Sequence, residues 1–456
     1  MTSMGRAIKG HLFRDSWLWK ILAAYIFFLH RLFYKVIVVE GKEHIPKDGP
    51  LIFAPNHQNA LMDPLAVLFA ASRQIVFLAR ADIFRNRFLR PVFHRMKILP
   101  VYRIRDGKDK LKQNEQSFDT VVELLAHGRS VGLFPEAEHS NKRHLLPLKK
   151  GVPRLAFLAE GKHAFKLGLK IVPVGIYYSH YESMGSVLHL KFGTPLAVSD
   201  FRDAFLESPQ KAHLVMRDEL SQALKSLAID IRDLDWYETY DTILILRTKK
   251  LAQEKTPAKN FRIREFEARK EIIRRLDAQQ EKQPERMESL REKVSRFLAM
   301  ARKFNIRGNL LAEPLRSPTR LYLATLLSLL SLPVFLYALA NNLPGYSILQ
   351  RLIRRFKDRQ FHSSVKFLWG AFFLPVFYLL QTMLVLLIFK NNWIALYYAL
   401  SLPVTGLFAH WLYMRYKVVL GRWKLVRLRK KSPGQLDSFL ELRKSIHDDV
   451  DFLLGL

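Results

Sequence analysis

Three long apolar stretches in the C-terminal third, residues 321–340, 367–389 and 393–413, are nearly free of charge. They constrain this chain more than any other feature, because an α-helix needs roughly 20 apolar residues to cross a bilayer. In that solvent every backbone N–H and C=O must be satisfied within the segment, which leaves the helix as the available form. Only Lys390, Asn391 and Asn392 separate the second stretch from the third, the spacing of a tight helical hairpin. Pro333, Pro375 and Pro403 fall within the stretches and are expected to kink each helix.

The flanks are basic: residues 302–320 carry five Lys or Arg, residues 351–366 six, and residues 415–431 eight. The positive-inside rule draws all three flanks to the cytoplasm. Three full crossings would place the last flank opposite the first. Either 321–340 bends at Pro333 and re-enters while the hairpin crosses twice, or three ordinary spans break the rule locally. We take the first as the expectation.

Lys and Arg number 73 against 41 Asp and Glu, a formal charge of +32. Such a balance requires a polyanionic partner. The basic residues crowd around apolar segments, which points to anionic membrane lipids. No zinc finger, RNA-recognition signature or basic zipper is present, so no nucleic-acid partner is expected. Zero cysteines exclude disulfides, thiolate catalysis and cysteine-ligated metals. No Gly-rich nucleotide loop occurs, and neither a cofactor nor a metal is expected. The early apolar stretch, residues 17–34, carries Lys20, His30 and Arg31 and lacks a cleavage site, so it is not a secretory signal. It is short for a span and has Trp and Tyr at its ends. An interfacial helix is the preferred reading and a buried core helix the alternative.

Residues 36–192 alternate strand and helix patterns. Strands are expected at 36–40, 51–54, 75–79, 98–103, 131–134, 171–178 and 187–192, and helices at 64–71, 110–127 and 152–160. Gly128 and Gly161 stand where C-cap glycines belong. Continuous apolar strands between helices predict an α/β fold, a mixed sheet of about seven strands covered by helices. With it go an N-terminal interfacial helix (1–34), a charged helical arm (246–318), an α-helical membrane region (319–414) and a basic tail (415–456). The sheet domain occupies 35–245, with 200–245 returning over it.

Two polar loops follow apolar strands. The first reads Pro55-Asn56-His57-Gln58-Asn59-Ala60-Leu61-Met62-Asp63-Pro64. A histidine past a strand end, with an acid a few residues on, is the minimum for a general base and its orienting partner. On one helix, positions six apart point about 240° apart, so contact requires a turn. Asp63-Pro64 also reads as an N-cap followed by an N1 proline, and on that reading His57 merely fills a loop. The second loop reads Phe134-Pro135-Glu136-Ala137-Glu138-His139-Ser140 and runs on to Leu145-Leu146-Pro147-Leu148-Lys149-Lys150.

Together the two loops resemble the glycerol-phosphate and lysophosphatidic acid acyltransferase superfamily, whose signature is Asn-His, four residues, Asp, then Phe-Pro-Glu-Gly-Thr-Arg-Ser. Lys97-Ile98-Leu99-Pro100-Val101-Tyr102-Arg103 and Ile171-Val172-Pro173-Val174-Gly175 match two further blocks in order. The resemblance covers roughly residues 35 to 195. Here five residues separate His57 from Asp63, and Ala137-Glu138-His139 replaces Gly-Thr-Arg. Both departures resemble the yeast-type glycerol-3-phosphate and dihydroxyacetone-phosphate acyltransferases, as does Leu145-Leu146-Pro147-Leu148-Lys149.

The resemblance implies a membrane-bound enzyme of phospholipid synthesis, moving a fatty acyl group from acyl-CoA or acyl carrier protein to a glycerol phosphate. The donor thioesters are cytoplasmic, so the catalytic domain is expected to face the cytoplasm. It makes His57 the base and Asp63 its partner; a histidine's ordinary pKa near 6.5 suits that work. Asn56 and Glu136 are expected at the substrate. Arg103 is the first choice for the acceptor phosphate, followed by Lys149 and Lys150 before a helix start. His139 is read either as a phosphate ligand or as a solvent-facing residue. Lysophosphatidate is the alternative acceptor, and a non-catalytic lipid-binding relative is the alternative in kind.

Overall fold

The computed structural model describes residues 17–81, 97–101, 108–138, 140, 142–254, 260–306, 310 and 317–455. The chain divides into two compact units, Met1–Asp230 with Phe356–Ala371, and Ile231–Arg355 with Phe372–Leu456.

The first unit is built on one sheet: β1 (Val36–Glu40), β2 (Leu51–Pro55), β3 (Ile75–Arg80), β4 (Ile98–Val101), β5 (Ser130–Gly132), β6 (Lys170–Tyr178) and β7 (Val187–Phe192). Their spatial order is β1-β7-β6-β2-β5-β3-β4, and a two-residue strand absent from the sequence expectation, β8 (Leu196–Ala197), adds to β6. Central β2 runs parallel to β5 and β6, while β6 and β7 pair antiparallel, so the sheet is mixed. The central strands are continuously apolar because both faces are covered. Ile52, Val76, Val131 and Ile171 face one core, shared with α3 (Lys108–Ala126), α4 (Gly151–Lys162) and α6 (Pro209–Leu227). Their neighbours Phe53, Ile75, Val172 and Val174 face the other, shared with α1 (Trp17–Phe33) and α2 (Met62–Ala70). A short α5 (Arg202–Glu207) precedes α6.

Two helix ends differ from expectation. Helix α4 continues through Gly161 to Lys162. Its exit is held instead by buried Glu160, whose carboxylate accepts the Leu167 and Leu169 N–H groups at 3.1 and 2.6 Å. Gly128 does take the left-handed conformation expected after α3, at φ 70°. Helix α1 buries Ile26, His30 and Phe33 against the sheet and exposes Trp17, Ile21, Phe27 and Phe28. An outward apolar face rimmed by aromatics is the form of a helix lying in a membrane interface.

In the second unit, α7 (Tyr237–Glu254), α8 (Phe261–Lys282) and α9 (Pro284–Lys303) pack with the C-terminal α15 (Pro433–Leu454). Phe297 of α9 stacks on Phe439 of α15 with ring centroids 4.8 Å apart. The charge-dense stretch is therefore no lone arm: α15 covers its apolar stripe, a pairing between segments too distant in sequence for periodicity to join. The basic tail is likewise divided, residues up to Lys431 extending α14 (Asn392–Lys431) and the rest forming α15.

Among the described residues, two helical runs are long and apolar enough to cross a membrane, Arg359–Phe389 and Asn392–Lys431, or three if the bent pair below forms one span. The first contains α12 (His362–Leu368), a π turn at Trp369–Phe373 and α13 (Leu374–Phe389). Between α13 and α14, Lys390 turns left-handed at φ 48° and Asn391 caps α14, accepting the Trp393 and Ile394 N–H groups. The earlier stretch forms α10 (Pro318–Leu330) and α11 (Leu332–Ile353), bent by 53° at Ser331. Pro333 and Pro375 open α11 and α13 instead of kinking them, since a first-turn residue has no intrahelical N–H bond to lose. Only Pro403 keeps the expected mid-helix place.

Candidate active site

The site grows from the end of β2. Buried Asn56 clasps β6, its Nδ2 donating to the Ile176 carbonyl at 3.1 Å and its Oδ1 accepting the Ile176 N–H at 2.6 Å. This pins the strand end and leaves His57 first in the loop beyond it. Its side-chain amide thus holds the fold at the strand end. The chain then turns tightly, with Ala60 at φ 38° and the Met62 N–H on the Asn59 carbonyl at 2.8 Å.

That turn carries Asp63 back to His57. Asp63 Oδ2 accepts the His57 Nδ1–H at 2.8 Å and the N–H groups of Gln58 and Asn59 at 2.7 and 2.6 Å. Its Oδ1 accepts the Tyr178 hydroxyl at 2.7 Å. Asp63 is fully buried while the His57 side chain is 17 % exposed. Asp63 therefore does not cap α2, which already begins at Met62; its bonds run to the residues before it. A carboxyl group that accepts this many hydrogen bonds is held in one orientation. Donation from Nδ1 places the imidazole lone pair on Nε2, the arrangement a general base requires.

The second loop closes against the first. Phe134 stacks on the His57 ring, centroids 4.0 Å apart and 23° between planes, and Phe77 stacks on Phe134 at 6.1 Å. Gly132 is required here, since a Cβ would lie 2.3 Å from Phe77 Cε1. Buried Glu136 ties the loops together: Oε1 accepts the His57 N–H at 2.9 Å and Oε2 the Leu146 N–H at 3.0 Å. Burial, against the pull of those two bonds, pushes its carboxyl up to about 8. Each Glu136 oxygen thus meets one backbone amide. The Ser140 N–H reaches the His57 carbonyl at 3.3 Å, and Lys149 N–H the Pro135 carbonyl at 2.8 Å. Lys149 is exposed and Lys150 half-buried, directly before the first turn of α4. Arg103 and His139 lie outside the described residues.

Sequence reasoning missed Tyr178 and Tyr181. Burial and the Asp63 charge raise the Tyr178 phenol well above its ordinary range, so it stays a donor. The Tyr181 hydroxyl holds Gln58 Oε1 at 3.0 Å. The only available signal was a pair of tyrosines, Tyr177 and Tyr178, closing an otherwise apolar strand. Among the described residues, no group of three or more His, Asp or Glu is placed to hold a metal ion.

Residues 36–177 match the family model of acyltransferases. The chain is 30% identical over 134 residues to glycerol-3-phosphate O-acyltransferase 1 of Saccharomyces cerevisiae, covering 29% of this chain and 17% of that protein. It is 29% identical over 141 residues to 1-acyl-sn-glycerol-3-phosphate acyltransferase of Borreliella burgdorferi, covering 31% and 51%. The chain thus spans at most about half the length of these two relatives. Among solved structures, the 1-acyl-sn-glycerophosphate acyltransferase of Thermotoga maritima aligns at 19% identity over 48% of this chain and 85% of its own. Its TM-score is 0.34. The two loops, the intervening blocks and the family match agree: residues 36–177 are similar to the acyltransferase family, with both glycerol-3-phosphate and 1-acyl-sn-glycerol-3-phosphate acyltransferases among the relatives.

Proposed function

We propose that this chain is an integral membrane acyltransferase that acylates glycerol-3-phosphate or dihydroxyacetone phosphate, with acyl-CoA or acyl carrier protein as donor. One observation carries the reading: His57 Nδ1 sits 2.8 Å from a buried Asp63 that three further donors hold in place. As the acceptor hydroxyl oxygen attacks the thioester carbonyl, its proton passes to His57 Nε2. The C–S bond then breaks and the imidazolium returns the proton to the departing thiolate. Asp63 fixes the tautomer and stabilises the imidazolium. Base assistance of this kind is worth about 10²–10⁴ in rate.

The acceptor phosphate is assigned to Arg103 with Lys149, Lys150 and His139 as the further candidates, beside the N–H groups opening α4. The five-residue interval between His57 and Asp63 and the Leu145-to-Lys149 tail favour the first acyl position. The bacterial relative's name favours lysophosphatidate, the second reading. The catalytic domain is assigned to the cytoplasmic side, where the thioester donors are.

The test offers glycerol-3-phosphate, dihydroxyacetone phosphate and 1-acyl-glycerol-3-phosphate with acyl-CoA to membranes carrying the chain or its His57→Ala variant. The expected product is the 1-acyl ester, with transfer reduced at least about 10²-fold in the variant. Acylation of the lysophospholipid alone would establish the second reading. Transfer to none of the three, or a variant that keeps a tenth of native turnover, would refute the mechanism.

A further inference from the structure

The loop between His57 and Asp63 is not completed by the acyltransferase segment alone. Asn59, whose N–H binds Asp63 Oδ2 at 2.6 Å, is almost fully buried. Its side-chain Nδ2 donates to the Tyr181 carbonyl at 3.1 Å, and its Oδ1 accepts the hydroxyl of Ser363. The Leu61 N–H, at the N-terminus of α2, donates to Ser364 Oγ at 3.1 Å. Amides at a helix start have no partner within the helix and need one from elsewhere. Here it comes from a residue 303 positions downstream. Ser363 and Ser364 are 1% and 6% exposed, so each hydroxyl works in a dry site where an unmet donor is costly.

The segment bearing these serines is itself fastened to the first unit. His362 Nδ1 lies 3.1 Å from Glu182 Oε2, and Lys366 Nζ donates to the Glu182 carbonyl at 2.7 Å. Phe367 meets Phe33 edge-on at 5.9 Å, and the Tyr25 hydroxyl donates to the Ala371 carbonyl at 2.6 Å. The same helical run continues as a membrane-crossing candidate to Phe389.

We infer that Ser363 and Ser364 are positioning residues of the catalytic loop, so that the root of the membrane helix completes the geometry of the His57–Asp63 pair. This rests on the acyltransferase reading above. The serines touch Asn59 and Leu61, and Asn59 in turn sets Asp63; they act on the base through two intermediaries and never on substrate. Releasing them loosens the orientation of Asp63, and misplacement by about 1 Å can cost on the order of 10²-fold in rate. Binding of the acceptor phosphate, which depends on other residues, is left largely intact.

The experiment compares the full chain in lipid nanodiscs with its Ser363→Ala/Ser364→Ala, Ser364→Ala and Ser364→Thr variants. It measures acyl transfer and hydrogen–deuterium exchange over residues 56–62. The double variant is expected to lose about ten- to hundredfold in kcat with the acceptor KM within about threefold. Exchange over 56–62 should quicken while β2 and β6 stay protected, and Ser364→Thr, which keeps the hydroxyl, should stay near native. Native kcat in the double variant, or unchanged exchange at 56–62, overturns the inference. If the double variant loses protection throughout the sheet, Ser364→Ala decides, since it removes only the acceptor for Leu61. A native chain that acylates none of the three acceptors would refute the functional reading, and exchange alone would then decide the brace.

Discussion

Glu136→Gln tests the join between the two loops. Both carboxylate oxygens accept backbone N–H groups, those of His57 and Leu146. A glutamine of the same shape offers one acceptor oxygen and turns an NH₂ donor toward the other N–H. One buried amide is then unmet, at a cost of about 1–3 kcal/mol. For a unit of this size that corresponds to a midpoint roughly 2–10 °C lower. The pH dependence has a definite sign. The folded carboxyl is raised from 4.5 to about 8, so the proton is bound more tightly in the folded state. The stability this contributes is complete below about 4.5 and is lost as pH rises through the interval up to about 8. The variant has no titrating group there. The native midpoint in detergent, relative to the variant's, should therefore be highest near pH 5 and fall steadily toward pH 8. A difference that is constant or rises with pH would refute the assignment of a protonated, buried Glu136.

Tyr178→Phe removes the donor to Asp63 Oδ1. It should lower stability by about 1.5–3 kcal/mol and kcat about tenfold, with acceptor KM within about twofold; a native kcat would show that Tyr178 only packs. Ala137 is exposed and left-handed at φ 59°, so Ala137→Gly should raise stability by about 1 kcal/mol, and a lower midpoint would contradict that backbone. On the proposed orientation, each of the eight basic residues between 415 and 431 would be drawn to the cytoplasmic leaflet by about 1 kcal/mol. Single cysteines at Lys390 and Ser432 of this cysteine-free chain should therefore be labelled and shielded, respectively, from an impermeant reagent in intact cells. The reverse pattern would invert the hairpin.

Local chemistry made much of this molecule readable. Seven of eight strands follow from runs of apolar residues closed by turn formers, because a strand buried on both faces must be apolar throughout. The hairpin follows from the three residues, Lys390 to Asn392, between two apolar stretches, and the His57–Asp63 pairing was one of two readings of its spacing, the one that the resemblance implies. What was not legible depends on partners. The resemblance placed Asn56 and Glu136 at the substrate, and it carried no sign of the backbone groups that they also meet. In the fold the nearest unmet groups were backbone amides and a carbonyl, and these claimed them. Asp63 read as a helix cap until a tighter turn brought three donors to it from behind.

The amino-acid sequence by itself determined the alternation of strand and helix, the long apolar helices and the residue types at the candidate site. Those depend on the hydropathy and conformational preference of neighbours along the chain. Tertiary structure alone decided that Tyr178 holds Asp63, that α15 covers the charged helices, and that Ser363 and Ser364 brace the catalytic loop. Each of these joins residues more than a hundred positions apart. No periodicity encodes such a meeting, which comes about only when buried donors and apolar faces must each find a partner within one packed core.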